Sequence, residues 1–222
     1  MARYEHVAFD FDGVVADSAA VCADEINRLR AHFPTIPEVH SQDDFAFIYP
    51  GPLRTSLRRF GLSDKGVSDF FDRHSARMMS RARELKPFVP VAKILGEMDP
   101  TRFTIVTSSY SATVRDVLSR SIPGGSVDDI SILGRELKMK KSAKFQRIMT
   151  ENNLRPAQLL KIGDMVSDVL YAADAGIDCA AVGWGYHPLR YLKAFDARHF
   201  VSSPNDLRNL LRKHAKIGEP YV

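Results

Sequence analysis

Residues 6–18 read HVAFDFDGVVADS, and the fold follows from this stretch. A short apolar run ends in two aspartates, Asp10 and Asp12, and Gly13 follows at once. In an extended chain residues i and i+2 point the same way, so both carboxylates face one spot beyond the strand end, where Gly13 lets the backbone turn away. Two carboxylates aimed at one point repel each other unless a cation or a shared proton lies between them. We therefore predict a Mg²⁺ site that also holds a carboxylate nucleophile.

The composition restricts the class of protein. Of the 222 residues, 45% are hydrophobic and 26% are charged, as in ordinary globular proteins. The formal net charge is +4 and the basic residues are scattered, so small anionic substrates fit better than nucleic acid. Cys22 and Cys179 are too few for a disulfide framework or a structural zinc site, and we expect a cytoplasmic protein. We expect no membrane association, because the N-terminal stretch has no signal pattern and no apolar run approaches the ~20 residues of a membrane span.

Strand and helix patterns alternate after Pro90 but not before it. Strands are predicted at 7–9, 103–106, 130–133, 159–162, 179–182 and 200–201, and helices at 19–33, 53–60, 67–83, 91–98, 112–118, 142–153, 167–175 and 207–213. Such alternation implies right-handed crossovers and a mostly parallel, Rossmann-like α/β sheet flanked by helices. The segment between the first strand and the rest is helical throughout. We predict a core domain of residues 1–17 and 87–222 and an inserted small α-helical cap domain of residues 18–86.

Polar residues follow three of the predicted strands. They are Asp10 and Asp12 after the first, Thr107, Ser108 and Ser109 after FTIV, and Gly163 and Asp164 after LLKI, with Asp168 four residues on. Each cluster alone has an ordinary explanation as a turn or a helix start. Ligands of an open parallel sheet, however, gather outside the carboxyl ends of its strands. The shared edge favours a phosphoryl-transfer site, in which carboxylates hold Mg²⁺ while a lysine, a hydroxyl and backbone N–H groups contact the phosphoryl oxygens.

In this order, DFDGVVADS, IVTSS, the lysine cluster at 138–144 and GDMVSD resemble the four motifs of the haloacid dehalogenase-like hydrolases. The later stretch AAVGWGYHPLRYL resembles their phosphoglycolate-phosphatase-like branch. The resemblance implies that Asp10 is the nucleophile and Asp12 the general acid and base, and that Thr107, with Ser108 beside it, binds phosphate. It also implies a set of metal-site residues, namely Asp10, Asp12 through its backbone carbonyl, Asp164, and Asp168 in support.

The lysine cluster leaves the choice of catalytic lysine open. Lys141 is our candidate, because Ser142 follows it as a helix N-cap. Lys144 is the alternative, although one turn into the helix it is expected to point to solvent. In the cap, the sequence YPGPLR places Arg54 beside a turn, and we name Arg54 as a residue that contacts an anionic substrate.

We expect a Mg²⁺-dependent phosphatase that acts on a small phosphorylated metabolite through an aspartyl-phosphate, as a monomer or homodimer. A phosphomutase or a phosphonate hydrolase of the same superfamily is the alternative. Phosphonate cleavage in related enzymes uses a cap lysine, and neither Lys65 nor Lys86 has an apolar context that would lower its pKa. A catalytically silent binding module is disfavoured, because the chemical residues of all four motifs are present.

Overall fold

The computed structural model describes residues 3–122 and 127–215. The strands in these ranges are β1 His6–Phe9, β2 Ala16–Asp17, β3 Lys86–Pro87, β4 Phe103–Val106, β5 Ser131–Leu133, β6 Leu159–Gly163, β7 Asp178–Val182 and β8 His199–Val201. The helices are α1 Ala19–Leu29, α2 Gln42–Ile48, α3 Leu53–Arg58, α4 Asp64–Ser80, α5 Val89–Glu97, α6 Ser111–Ser119, α7 Lys141–Glu151, α8 Val166–Asp174, α9 Leu189–Leu192 and α10 Pro204–His214.

The main sheet has six strands in the order β5-β4-β1-β6-β7-β8, and every neighbouring pair is parallel. The predicted parallel α/β fold is confirmed. Strand β1 lies between β4 and β6, with Val7 opposite Phe103 on one side and Leu160 on the other. From β1 the chain builds outward through β4 and β5 and then returns to β6, so the strand order reverses at β1. The carboxyl end of β1, where Asp10 lies, is therefore the point at which ligands bind in such sheets.

Both faces of the sheet are covered, because side chains that alternate along a strand enter two separate apolar clusters. Val7, Phe9 and Ile105 pack on one face, and Ala8 and Val106 on the other. Strands β1 and β4 are accordingly buried along their whole length, as expected for central strands of a parallel sheet.

Helices α1 to α4 lie between β2 and β3, which pair as an antiparallel ribbon with Ala16 opposite Pro87 and Asp17 opposite Lys86. We call residues 18–86 the cap. The ribbon thus brings together the two places where the chain enters and leaves the cap. The domain limits at 17/18 and 86/87 remain a prediction. Across residues 3–122 and 127–215, no helix has the length and apolar character needed to cross a membrane.

Some local predictions were wrong. Helix α1 ends at Leu29 rather than at residue 33. Ser18 stands at its N-cap position, but its hydroxyl lies 2.9 Å from the Tyr186 hydroxyl instead of capping the helix. Helix α2 was not predicted, because seven residues are too few for a clear apolar period. Its start does carry a signal, since the Ser41 hydroxyl accepts the N–H of Asp44 at 3.2 Å.

Candidate active site

Asp10 and Asp12 lie beyond the carboxyl end of β1, as predicted. The Asp10 N–H donates to the Ile162 carbonyl at 2.9 Å, which continues the pairing with β6 to the nucleophile candidate itself. One Asp10 oxygen accepts the Phe11 N–H at 2.9 Å. The Ser109 hydroxyl donates to Asp12 Oδ2 at 2.6 Å, whereas Asp12 Oδ1 is buried without a hydrogen-bond partner among the described residues. Asp12 therefore has one oriented oxygen and one unsatisfied oxygen.

Two glycines allow Asp164 to approach this turn. Gly13 has φ +75°, and a Cβ at this position would lie 2.0 Å from Asp164 Oδ2. A Cβ at Gly185 would lie 2.2 Å from the same oxygen. Any side chain at either position would displace the carboxylate, so both residues must be glycine for Asp164 to stand where it does.

The carboxylates form a buried acidic cluster. Ligand atoms of Asp10, Asp164 and Asp168 all lie within 4.8 Å of one another. The Tyr186 N–H donates to Asp164 Oδ2 at 2.7 Å, but Asp164 Oδ1 is buried and has no partner in the described ranges. Burial, followed by the charges of Asp168 and Asp10, raises the pKa of Asp164 well above its usual range. Three buried carboxylates with ligand atoms this close together, one of them with an unsatisfied oxygen, fit a small cation with oxygen ligands, and the residues present therefore fit Mg²⁺.

Two lysines face the same cluster. Lys141 Nζ donates to Asp10 Oδ2 and, at 2.9 Å, to Asp168 Oδ1. Lys161 on β6 is fully buried, and its Nζ lies 3.4 Å from Asp168 Oδ1 and 3.9 Å from Asp10 Oδ2. Burial alone would raise the pKa of Asp168, but the two ammonium groups hold it below its ordinary value. Burial and the Asp168 charge nevertheless raise the pKa of Asp10, so the lysines do not neutralise the cluster completely.

Lys144 does not point to solvent, and that expectation was wrong. Helix α7 begins at Lys141, so the residue three positions on lies on the helix face that packs against the sheet, together with Phe145 and Ile148. Lys144 Nζ donates to three backbone carbonyls at the ends of β4 and β5, those of Thr107, Leu133 and Gly134, at 2.7, 3.0 and 2.8 Å. Burial, followed by the charge of Lys141, lowers the pKa of Lys144 to about 8. The structure thus places Lys141 at the carboxylates and Lys144 behind the strand ends.

The three residues after β4 make different contacts. Thr107 is fully buried, and its hydroxyl accepts the Ser109 N–H at 2.9 Å, which shapes the turn. Ser108 is exposed and lines the cavity described below. Ser109, to which the sequence analysis assigned no role, is the residue that contacts Asp12. Its position in the stretch TSS was the available signal.

A cavity of about 110 Å³ extends from the acidic cluster to the cap. This is several times the ~10–15 Å³ that one water needs, so a small molecule fits. Asp10, Asp12, Thr107 and Lys141 line its charged end. Its apolar end is formed by residues of the cap, namely Tyr49, Leu53, Phe71, Met78, Met79 and Leu85.

The cavity favours a different arginine from the one that we predicted. Arg54 is exposed, with its guanidinium 5.6 Å from the centre of the Phe71 ring, and it is not among the residues that line the cavity. Arg135, in the turn after β5, does line it. No feature of the sequence distinguished Arg135, because its position beside the cavity depends on how the turn after β5 meets Asp72 of α4.

Helix α2 connects the cap to the acidic cluster. The Phe45 ring stacks on the Tyr186 ring with centroids 4.6 Å apart, and Gln42 donates to the Gly185 carbonyl at 2.6 Å. Because the Tyr186 N–H is a hydrogen-bond donor to Asp164, a cap side chain supports the loop that holds this carboxylate.

Comparisons with known proteins agree with this geometry. The sequence profile of the haloacid dehalogenase-like hydrolases matches residues 7–182. A phosphoglycolate phosphatase of Synechococcus elongatus is 26% identical over 203 residues, which is 90% of this chain and 94% of that protein. A 5′-nucleotidase of Pseudomonas aeruginosa is 23% identical over 224 residues, which is 96% of this chain and 97% of that protein. A haloacid dehalogenase-like family hydrolase from Streptococcus pneumoniae shares the fold with a TM-score of 0.71 at 19% identity, covering 93% of this chain and 98% of that one.

Proposed function

Because the chain belongs to the haloacid dehalogenase-like hydrolases, we propose that it is a Mg²⁺-dependent phosphoric monoester hydrolase. It cleaves a small phosphorylated metabolite through an aspartyl-phosphate on Asp10. The observation that supports this most strongly is the buried cluster of Asp10, Asp164 and Asp168 with Lys141, of which Asp10 and Lys141 line the charged end of a small cavity. The similarity to a phosphoglycolate phosphatase supports a small substrate.

In the first step a carboxylate oxygen of Asp10 attacks phosphorus, and the bond from phosphorus to the ester oxygen breaks. The leaving oxygen takes its proton from Asp12. Burial raises the pKa of Asp12, which favours the protonated carboxyl that this role requires. The Ser109 hydroxyl donates to Oδ2, and this leaves Oδ1 as the oxygen that can carry the transferred proton. In the second step Asp12 takes a proton from the water that cleaves the acyl phosphate.

Lys141 offsets the negative charge of Asp10 as an anionic phosphoryl group approaches it. Asp10, Asp164 and the Asp12 backbone carbonyl would hold Mg²⁺, with Asp168 in support. When bound, Mg²⁺ offsets the charge on the phosphoryl oxygens. Thr107 and Ser108 remain the predicted phosphate ligands. We place the activity in the cytoplasm, where the free thiols of Cys22 and Cys179 stay reduced.

Phosphate release from a panel of phosphomonoesters, with Mg²⁺ and with EDTA, tests the proposal. We expect release only with Mg²⁺. Asp164→Ala should raise the Mg²⁺ concentration for half-maximal activity strongly, because it removes a carboxylate ligand. Asp168→Ala should raise that concentration less than Asp164→Ala does, because Lys141 already pairs with Asp168.

Three results would contradict the proposal. An isomerised product without free phosphate would indicate a phosphomutase. Release from a phosphonate but from no ester would indicate a phosphonate hydrolase. Binding of the esters without turnover would indicate a silent binding module.

A further inference from the structure

We infer that Arg135 selects phosphomonoesters that carry a second anionic group, a carboxylate, a few atoms from the phosphoryl group. The inference rests on the proposed function, because it concerns the other end of the same cavity. It comes from the position of Arg135, from its exchangeable partner and from the surroundings of its guanidinium.

The backbone of Arg135 is fixed to the catalytic loops. Its N–H donates to the Ser109 carbonyl at 2.9 Å, and Ser109 in turn contacts Asp12. The preceding carbonyl, that of Gly134, accepts a hydrogen bond from Lys144 at 2.8 Å. The arginine side chain therefore starts from a point that is held at a constant position relative to Asp12.

The guanidinium has a partner that it can give up. Arg135 Nη2 donates to Asp72 Oδ1 on α4 at 2.7 Å. The Arg135 side chain is 23% exposed and that of Asp72 is 68% exposed. Exposed ion pairs of this kind contribute only ~0–1 kcal/mol, so a ligand carboxylate can replace Asp72 at little cost. The planar fork of an arginine can bind such a carboxylate through two parallel hydrogen bonds.

The rest of the cavity offers an anion no other cation. Among the described residues that line it, Lys141 is already held by Asp10 and Asp168. His74 is uncharged at neutral pH, since burial of its ring, together with the charge of Arg135, lowers its pKa to about 4.

Apolar side chains of the cap form part of the neighbouring wall, and they strengthen a charge pair by excluding water. The small cavity volume, together with one arginine whose exposed partner a ligand can replace, favours a short phosphomonoester that also carries a carboxylate over a long one.

Two ligands that differ only in the relevant group test this inference. In 2-phosphoglycolate a carboxylate stands where 2-hydroxyethyl phosphate has a hydroxymethyl group. The measured quantity is the ratio of kcat/KM for the first ester to that for the second. We expect Arg135→Met to lower this ratio by about 30- to 100-fold, the value of a charge-assisted hydrogen-bonded pair, and Arg135→Lys to lower it less because it keeps the charge without the fork.

Asp72→Asn is the matched control. It breaks the same ion pair but leaves Arg135 free, so the ratio should stay constant or rise. A constant ratio in Arg135→Met, or an equal loss for both esters, would overturn the inference. A collapse of the ratio in Arg54→Met instead would return the role to the arginine first predicted from sequence.

Calorimetric binding separates this inference from the proposed function. Dissociation constants of the two esters are measured in Asp10→Asn with and without Arg135→Met, so no turnover is needed. If the wild-type enzyme released phosphate from no ester of the panel, the proposed function would fail, and the ratio of dissociation constants would still decide the role of Arg135. Thermal unfolding of each variant confirms that it is folded.

Discussion

The two ends of the cavity are formed by different parts of the fold. Its charged end is formed by Asp10 and Asp12 after β1, by Thr107 after β4 and by Lys141 at the start of α7, and β1 and β4 are neighbouring parallel strands. Its apolar end is formed by residues of the cap. In the described ranges the cap joins the core through β2 and β3, which pair with each other and not with the main sheet. Arg135 and its partner Asp72 lie across the boundary, one on each side.

We expect the charged end of the cavity to carry out the reaction and the apolar end to select the substrate. Residues at the strand ends cannot move without disturbing the sheet, and so they suit a reaction that needs fixed geometry. The cap residues can change without loss of sheet pairing, and so they suit the choice of substrate. Variants at the charged end should therefore affect all phosphomonoesters alike, while variants at the apolar end should change the ratio between them.

The largest effect is expected from Asp10→Asn. The amide is nearly isosteric but a poor nucleophile, so kcat should fall by about 10⁴-fold or more for every ester. Circular dichroism and thermal unfolding should match the wild type, because the cluster loses a carboxylate whose pKa is raised by burial. Near-normal turnover in a folded Asp10→Asn protein would remove Asp10 from the chemical step.

The two lysines of α7 should respond differently. Lys141→Met should lower kcat by about 10²- to 10³-fold, because it removes the positive charge that faces Asp10. Lys144→Met removes a buried donor from three carbonyls, of which only that of Leu133 keeps another donor, the Thr107 N–H at 3.2 Å, and it should lower the free energy of unfolding by about 2–3 kcal/mol. Urea unfolding and steady-state kinetics of both variants check this pair. A strong kinetic defect with unchanged stability in Lys144→Met would mean that their roles are reversed.

Acid should weaken the core through His6. This residue is buried on β1, with Nε2 2.9 Å from the Thr104 hydroxyl, and burial lowers its pKa from 6.5 to about 4. The unfolded chain therefore binds the proton first, so the stabilisation is complete above pH 6.5 and is lost as the pH falls toward 4. When the pH falls from 6.5 to 4, the free energy of unfolding of His6→Gln should decrease by about 2–3 kcal/mol less than that of the wild type. The exposed control His32→Gln should follow the wild type. Identical pH profiles for His6→Gln and the wild type would contradict this assignment.

The smallest effects concern the contact between α2 and the loop at Tyr186. Phe45→Ala removes the stacked ring and should raise the Mg²⁺ concentration for half-maximal activity a few-fold, since Tyr186 supports Asp164. Asp43→Asn, on the same helix, breaks an exposed ion pair with Arg190 and should change stability by less than about 0.5 kcal/mol. Mg²⁺ titrations distinguish the two variants. Equal responses would show that the ring contact has no special role.

The charged end could be predicted because its signals are local. Alternation along a strand places Asp10 and Asp12 together, and each aspartate or threonine directly follows an apolar run. Lys161 also had a local signal, since a lysine inside the apolar strand LLKIG must be buried with a partner. The prediction covered the polar residues at the strand ends and so did not include Lys161.

The remaining site residues depend on packing between distant parts of the chain. The direction of Lys144 changes with a one-residue shift in the start of α7. The prediction that Ser142 caps this helix was wrong, because α7 begins at Lys141 and no side chain caps it. Arg54 and Arg135 are equally plausible in sequence, and only the packing of α4 over the turn after β5 shows which of them lines the cavity.

Identification of the phosphorylated residue tests the central claim most directly. The enzyme is mixed with 2-phosphoglycolate and Mg²⁺, quenched in acid within the first turnover and reduced with borohydride, which converts an aspartyl-phosphate to homoserine. Mass spectrometry of the peptides should then find homoserine at position 10 in the wild type and at no position in Asp10→Asn. Homoserine at another aspartate, or full phosphate release with no modified aspartate, would contradict nucleophilic attack by Asp10.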